Sequence, residues 1–203
     1  MFPASTDVER QQRIDDNRRA IDDAAKLGAE VLVLVCGPAP DRDISAARHM
    51  VADGIEAIEQ HARMAGVMLG IEPLHPAFAG DRSCITTLRE ARLLAECFDA
   101  STVGVVVDVY HVWWDPERDA EIARLGKRIV GYHVNDWLVP NTNVLLGRGM
   151  MGDGVIELRA IRAAVERAGY SGLIEVEIFN ETIWGMPLDE CVSLTKKRFV
   201  EFA

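Results

Sequence analysis

Five short apolar runs, spaced apart by segments of helical length, constrain this chain more than any other feature. They are VLVLVC (31–36), VMLGIEPL (67–74), VGVVVDV (103–109), IVGYHV (129–134) and LIEVEIF (173–179). Runs this continuous suit strands covered on both faces, which is the situation in a parallel sheet. Between them the periodicity predicts helices over Thr6 to Leu27, Ile44 to Ala65, Thr87 to Phe98, Pro116 to Leu125 and Glu157 to Ala168, with a closing helix from Leu188 to Phe202. Ser5 or Thr6 is placed to cap the first helix, Asp7 and Glu9 suit its first turn, and Gly28 and Gly66 follow the ends of the first two. Helix alternating with strand is the pattern of repeated βα units, an α/β fold with the helices on one side of a curving sheet. At 203 residues the chain is expected to be one domain.

Composition narrows the partners. Hydrophobic residues make up 49% of the chain, enough for a core, and the net charge is −10, which argues against nucleic acid because phosphate binding needs a basic footprint. No apolar run has the length of a membrane span. The N-terminal segment MFPASTDVERQQRIDDNRR lacks the apolar stretch of a signal peptide. The four cysteines have no CxxC spacing, and Cys36 and Cys97 lie in apolar contexts, so they read as reduced core or near-core residues of a cytoplasmic protein.

The chemistry gathers at one end of the strands. The second run ends in Glu72 and, past it, His75. The third ends in Asp108 with His111 following, the fourth carries His133, Asn135 and Asp136, and the fifth carries Glu175 and Glu177. In parallel α/β architectures the C-terminal ends of the strands carry the active site. A single charged residue in an apolar strand is commonly a paired structural group, but one on each of four consecutive strands at the same end is a constellation. Asp108 follows an apolar run in which an unpaired charge is costly to bury. Glu175 and Glu177 share one face of their strand, and two carboxylates there need a cation or a shared proton. Three carboxylates and an imidazole form an oxygen and nitrogen donor set suited to one divalent ion, Mn, Co, Mg or Zn, in preference to thiol-seeking metals. His75 and His111 are candidates to contact substrate or to support the ligands, and Trp113, Trp114 and Trp137 either wall the site or simply pack. The stretch Asp136–Gly154 reads as a long irregular loop, of a length usually reserved for function. Within it, Arg148 is placed to bind a substrate hydroxyl or carboxylate, or to pair with an acid on the surface.

The stretches GIEPLHP, VGVVVDVYHVWWDP, YHVND, RGMMGDG and GYSGLIEVEIF resemble, in order and spacing, the sugar phosphate isomerase/epimerase family of xylose isomerase-like TIM barrels. That family includes tagatose epimerase, inosose isomerase and hydroxypyruvate isomerase types. The resemblance implies metal ligation by Glu72, Asp108, His133 and Glu177, with Glu177 preferred to Glu175 because it stands just before the apolar pair Ile178 and Phe179. It implies further that Glu72 and Glu177 exchange a substrate proton through an enediolate. His111 resembles the family's substrate-contacting histidine and Arg148 its substrate-binding arginine, while Met151 stands where the family often has Pro. The activity implied is isomerisation or epimerisation of a keto sugar or related polyol.

The family barrel has eight strands, and this chain matches strands four to eight, so an incomplete barrel of about five parallel strands is expected. Open sheet edges and an exposed interior predict a homodimer or higher homo-oligomer. Three other functions compete. A lyase of the inosose or dehydroshikimate dehydratase type would use the same ligands. A DNA-repair endonuclease on the same barrel would call for a late DxH pair that the glycine-rich loop lacks. A non-catalytic remnant would bind metal or a partner alone.

Overall fold

The computed structural model describes residues 2–203 and carries five parallel strands in one sheet. Helix α1 (Asp7–Leu27) begins at Thr6, whose hydroxyl accepts the Glu9 N–H, and ends at Gly28, which takes a left-handed φ of 73° that a side chain would resist. Strand β1 (Val31–Val35) follows, then α2 (Ile44–Ala65), capped by Asp43, and β2 (Met68–Glu72). After α3 (Leu88–Ala95) come β3 (Val103–Asp108), the short α4 (Val109–Val112) and α5 (Arg118–Leu125). Strand β4 (Ile129–Val134) leads to two two-residue strands, β5 (Asp136–Trp137) and β6 (Arg148–Gly149). The chain closes with α6 (Leu158–Arg167), β7 (Ile174–Val176), α7 (Glu181–Trp184) and α8 (Leu188–Phe202).

The strand order is β1-β2-β3-β4-β7, parallel throughout. The sheet curls like part of a barrel wall. Its concave side is lined by glycine on three successive strands, Gly70, Gly104 and Gly131. A Cβ on Gly70 would meet Val106 Cγ2 at 2.8 Å, Val31 Cγ1 at 3.0 Å and Val130 Cγ2 at 3.2 Å, so valines from three other strands converge on that one position. The convex side is covered by helices, and Leu69, Ile71, Val103, Val105 and Val107 are sealed there in one continuous core with Ile55, Ile58, Leu88 and Ile161.

The structure departs from sequence expectation in several places; the fifth strand is only Ile174–Val176, so Glu175, which is exposed, and Glu177 do not share a strand face. Val109 does not continue the third strand. The Asp108 carboxylate accepts the Tyr110 N–H at 2.9 Å and caps a helical turn there, which ends the strand at the aspartate. The stretch 136–154 is not wholly irregular, because β5 and β6 pair antiparallel within it, Asp136 opposite Gly149 and Trp137 opposite Arg148. Cys97 is not near the core: it is exposed just beyond the end of α3, where the helical phase turns Phe98 inward instead. Cys36 is buried as expected.

Candidate metal centre

Each of the four proposed ligands is delivered by the end of a different strand. Glu72 is the last residue of β2 and Asp108 the last of β3. His133 is opposite Asp108 in the register of β3 and β4. Glu177 lies one residue past β7 and is tied to β4 by its N–H, which donates to the Val134 carbonyl. One donor atom from each lies within 4.8 Å of the donors of the other three. Glu72, Asp108 and His133 are buried, and the Glu177 side chain retains 28% of its exposure, which leaves the cluster open on one side.

Inside the cluster His133 Nδ1 stands 3.3 Å from Glu72 Oε1 and 3.5 Å from Glu177 Oε2. Neither His133 Nδ1 nor Glu72 Oε1 has a hydrogen-bond partner among the described residues, although both are buried. Buried polar atoms are rarely left so. A divalent cation fits there, since it would satisfy both atoms at once, and the donor set is the hard oxygen and nitrogen type such ions take. The charges point the same way. Burial pushes the Glu72 carboxyl up to about 6, the attraction of His133 opposing this and the Asp108 and Glu177 carboxylates adding to it. Burial alone would lower the His133 pKa, but attraction to Glu177 and Glu72 raises it well above the ordinary imidazole range. Protons are thus drawn into a place where a cation does the same electrostatic work.

Arg148 reaches the cluster from β6. Its Nη1 donates to Asp108 Oδ2 and to Glu177 Oε2, each at 2.9 Å, and its guanidinium lies 4.8 Å from the ring centres of both Tyr110 and Phe179. It therefore pairs with two acids of the site, buried Asp108 and partly buried Glu177. His111, also buried, accepts the His75 N–H on Nδ1 at 3.0 Å. Its Nε2 stands 3.3 Å from Arg148 Nη2 and 3.6 Å from Asp108 Oδ2. Burial, reinforced by the Arg148 charge, lowers the His111 pKa well below its usual value and keeps the ring neutral. His75 is half-buried, stacked on Trp137 with ring centres 4.7 Å apart and set edge-on to Trp114. Trp113 lies against Trp137 as well, so all three tryptophans belong to this wall. Glu175 is held off: its carboxylate is 66% exposed and 3.8 Å from His133 Nε2.

Two residues of the site were given no role from sequence, Asn135, noted at the end of the fourth strand, and Tyr110. Asn135 donates to Asp108 Oδ1 at 3.1 Å and to the Glu177 carbonyl at 3.0 Å, bridging two of the four acids and imidazoles. Its signal was present, because it stands two residues after His133 and strand alternation puts both on one face. Tyr110 offered no signal beyond its place after Asp108; its ring supports Arg148, and its hydroxyl donates to the Val144 carbonyl.

Residues 2–197 match the family model described as xylose isomerase-like TIM barrel. The chain belongs to this family. Among solved structures, protein SMc04130 from Sinorhizobium meliloti 1021 is 50% identical and superposes with a TM-score of 0.96, over 100% of this chain and 75% of that one. A structure titled as IOLI protein with a binding zinc atom shares the fold at 20% identity and a TM-score of 0.83, over 100% of this chain and 73% of that one. Among curated relatives, the inosose isomerase of Bacillus subtilis is 24% identical over 73% of this chain and 53% of its own length. The 3-dehydroshikimate dehydratase of Pseudomonas putida is 26% identical over 87% of this chain and 28% of its own length. The chain thus spans about half of one curated relative and under a third of the other, and both of these relatives are enzymes.

Proposed function

We propose that this chain is a divalent-metal-dependent isomerase or epimerase of a keto sugar or related polyol. One observation carries the reading: Glu72, Asp108, His133 and Glu177 converge within 4.8 Å, and the two innermost donor atoms lack any other partner among the described residues. Glu72, Asp108, His133 and Glu177 would hold the ion, whether Mn, Co, Mg or Zn. When bound, the ion supplies Lewis-acid polarisation of a substrate carbonyl.

The remaining chemistry belongs to side chains. Glu72 and Glu177 flank the site from strands on opposite sides of β3 and β4. They take the proton from the carbon beside the carbonyl and return it. Both carboxylates reach the same space from opposite sides, the position that general acid–base exchange at one carbon requires. Arg148 and neutral His111 orient substrate oxygens, and His75 with Trp114 and Trp137 forms an apolar wall against the carbon skeleton. The whole chain acts as a single domain in this reading. The β1 and β7 edges, and the exposed Leu188, Val192 and Val200 of α8, are covered by a second copy of the chain. No helix among the described residues is long and apolar enough to cross a membrane.

The similarity to a dehydratase favours a second reading, a lyase acting on an inosose or dehydroshikimate-like substrate. Both reactions begin with proton abstraction beside a carbonyl, so product analysis separates them. The protein, loaded in turn with each of the four ions, is incubated in D2O with ketoses, inososes, hydroxypyruvate and dehydroshikimate. Isomerase or epimerase action gives deuterium at the carbon beside the carbonyl and a product of unchanged composition. A dehydratase gives loss of water and a new enone absorbance. Glu72→Gln and Glu177→Gln are each expected to lower turnover by roughly 10²–10⁴-fold, and full activity in both variants contradicts the proposed chemistry.

A further inference from the structure

Asp136 takes no part in the ligand set, yet it is 1% exposed and its carboxylate is saturated by backbone. Oδ2 accepts the Gly152 and Gly154 N–H groups, each at 2.9 Å. Oδ1 accepts those of Trp137 at 2.9 Å and Ile156 at 3.0 Å. Three of the four donors lie in the segment that follows β6, so one side chain at the start of β5 fixes the whole return from Arg148 to α6. The packing is closed to anything larger than glycine. A Cβ on Gly154 would lie 2.5 Å from Asp136 Oδ1 and would run into the Trp137 carbonyl oxygen. The Val155 N–H completes the clasp by donating to that same carbonyl at 3.1 Å.

We propose that Asp136 is the positioning residue of this site, holding the 148–156 segment so that the Arg148 guanidinium stands between Asp108 and Glu177. The inference rests on those two acids being metal ligands only for its consequence, not for its geometry. The Arg148 side chain is 6% exposed, its Nε has no hydrogen-bond partner among the described residues, and a long cation cannot be kept at two acids in a fixed pose unless its backbone is fixed as well. Asp136→Asn replaces one oxygen with an NH2 group that faces two N–H donors, and so opens the clasp with little change of shape. The consequence concerns the cation. Arg148 places a positive charge on two of the ligand oxygens, so releasing it is expected to tighten divalent ion binding, not to loosen it.

The test labels arginines of the full chain with phenylglyoxal and follows the rate at each residue by peptide mass spectrometry, in the wild type, Asp136→Asn and Gly154→Ala. Arg92, ion-paired to Glu121 at 2.6 Å on the far side of the core, is the internal control. Loss of the clasp is expected to speed labelling of Arg148 by roughly tenfold or more while Arg92 keeps its rate. Unchanged Arg148 labelling in both variants overturns the proposal. So does acceleration of Arg92 together with Arg148, which would make Asp136 a determinant of the whole fold. A separate titration with Mn2+ alone reads the consequence. Asp136→Asn and Arg148→Ala are expected each to tighten binding by roughly tenfold, and the double variant to match either single one. If the wild type and Arg148→Ala both fail to bind Mn2+, the metal reading fails while the labelling result still decides the role of Asp136.

Discussion

His133 Nδ1 lies 3.3 Å from Glu72 Oε1 across the width of β3, and both atoms are buried without another partner among the described residues. Each is a first-rate metal donor, and each is otherwise a buried polar atom whose desolvation is uncompensated.

Divalent cations are therefore expected to stabilise the fold directly. At a hundredfold excess over Kd the gain is about 2.7 kcal/mol, which for a domain of this size raises the unfolding midpoint by roughly 5–10 °C. Thermal denaturation followed by circular dichroism, after chelation and again after adding Mn2+ or Zn2+, measures it. Superimposable melting curves would contradict the reading of these two atoms as ligands.

A second buried acid reports on pH. Glu121 has no exposed side-chain surface and is held by Arg92 Nε at 2.6 Å and by Arg124. Burial pushes its carboxyl up, and the two guanidinium groups outweigh this, leaving the pKa below the ordinary 4.5. A depressed folded pKa contributes stability that is present above the unfolded value and lost as pH falls through the folded one. Urea unfolding is expected to show Glu121→Gln less stable than the wild type by about 1–3 kcal/mol at pH 7. The gap should narrow as pH drops below about 4.5. A gap that is constant from pH 7 to pH 3.5 would contradict the assignment.

The curl of the sheet makes a third claim. A Cβ on Gly104 would lie 2.6 Å from the Arg128 carbonyl oxygen and would overlap Val130 Cγ1. Backbone cannot yield as a flexible side chain can, so Gly104→Ala is expected to destabilise by about 1–3 kcal/mol. Chemical denaturation measures the change, and a neutral substitution would mean that the concave side is looser than described.

Much of this was legible in the sequence, for identifiable reasons. The α1 and α2 boundaries follow from local chemistry that acts within one turn: Thr6 and Asp43 at the starts, Gly28 and Gly66 at the ends. The convergence of Glu72, Asp108, His133 and Glu177 was legible because charge inside an apolar strand is costly enough to need a reason. What the sequence did not disclose depends on contacts distant along the chain. The β5–β6 ladder joins residues eleven or more positions apart and is only two residues long on each side, too short for periodicity to register. Asp108 as a helix cap could not be separated from Asp108 as a ligand, because both uses ask for the same residue at a strand end. Arg148 was read from sequence as a partner of a substrate group or a surface acid, and its pairing with Asp108 and Glu177 depends on contacts made by the intervening loop.

The central claim is that Glu72, Asp108, His133 and Glu177 together hold one divalent ion. The most direct measurement is metal content by inductively coupled plasma mass spectrometry after loading with Mn2+ or Zn2+ and exhaustive dialysis, on the wild type and on His133→Ala and Asp108→Asn variants shown to be folded. The account predicts close to one ion per wild-type chain and little in either variant. A wild type that retains no ion, or variants that retain it in full, would contradict it.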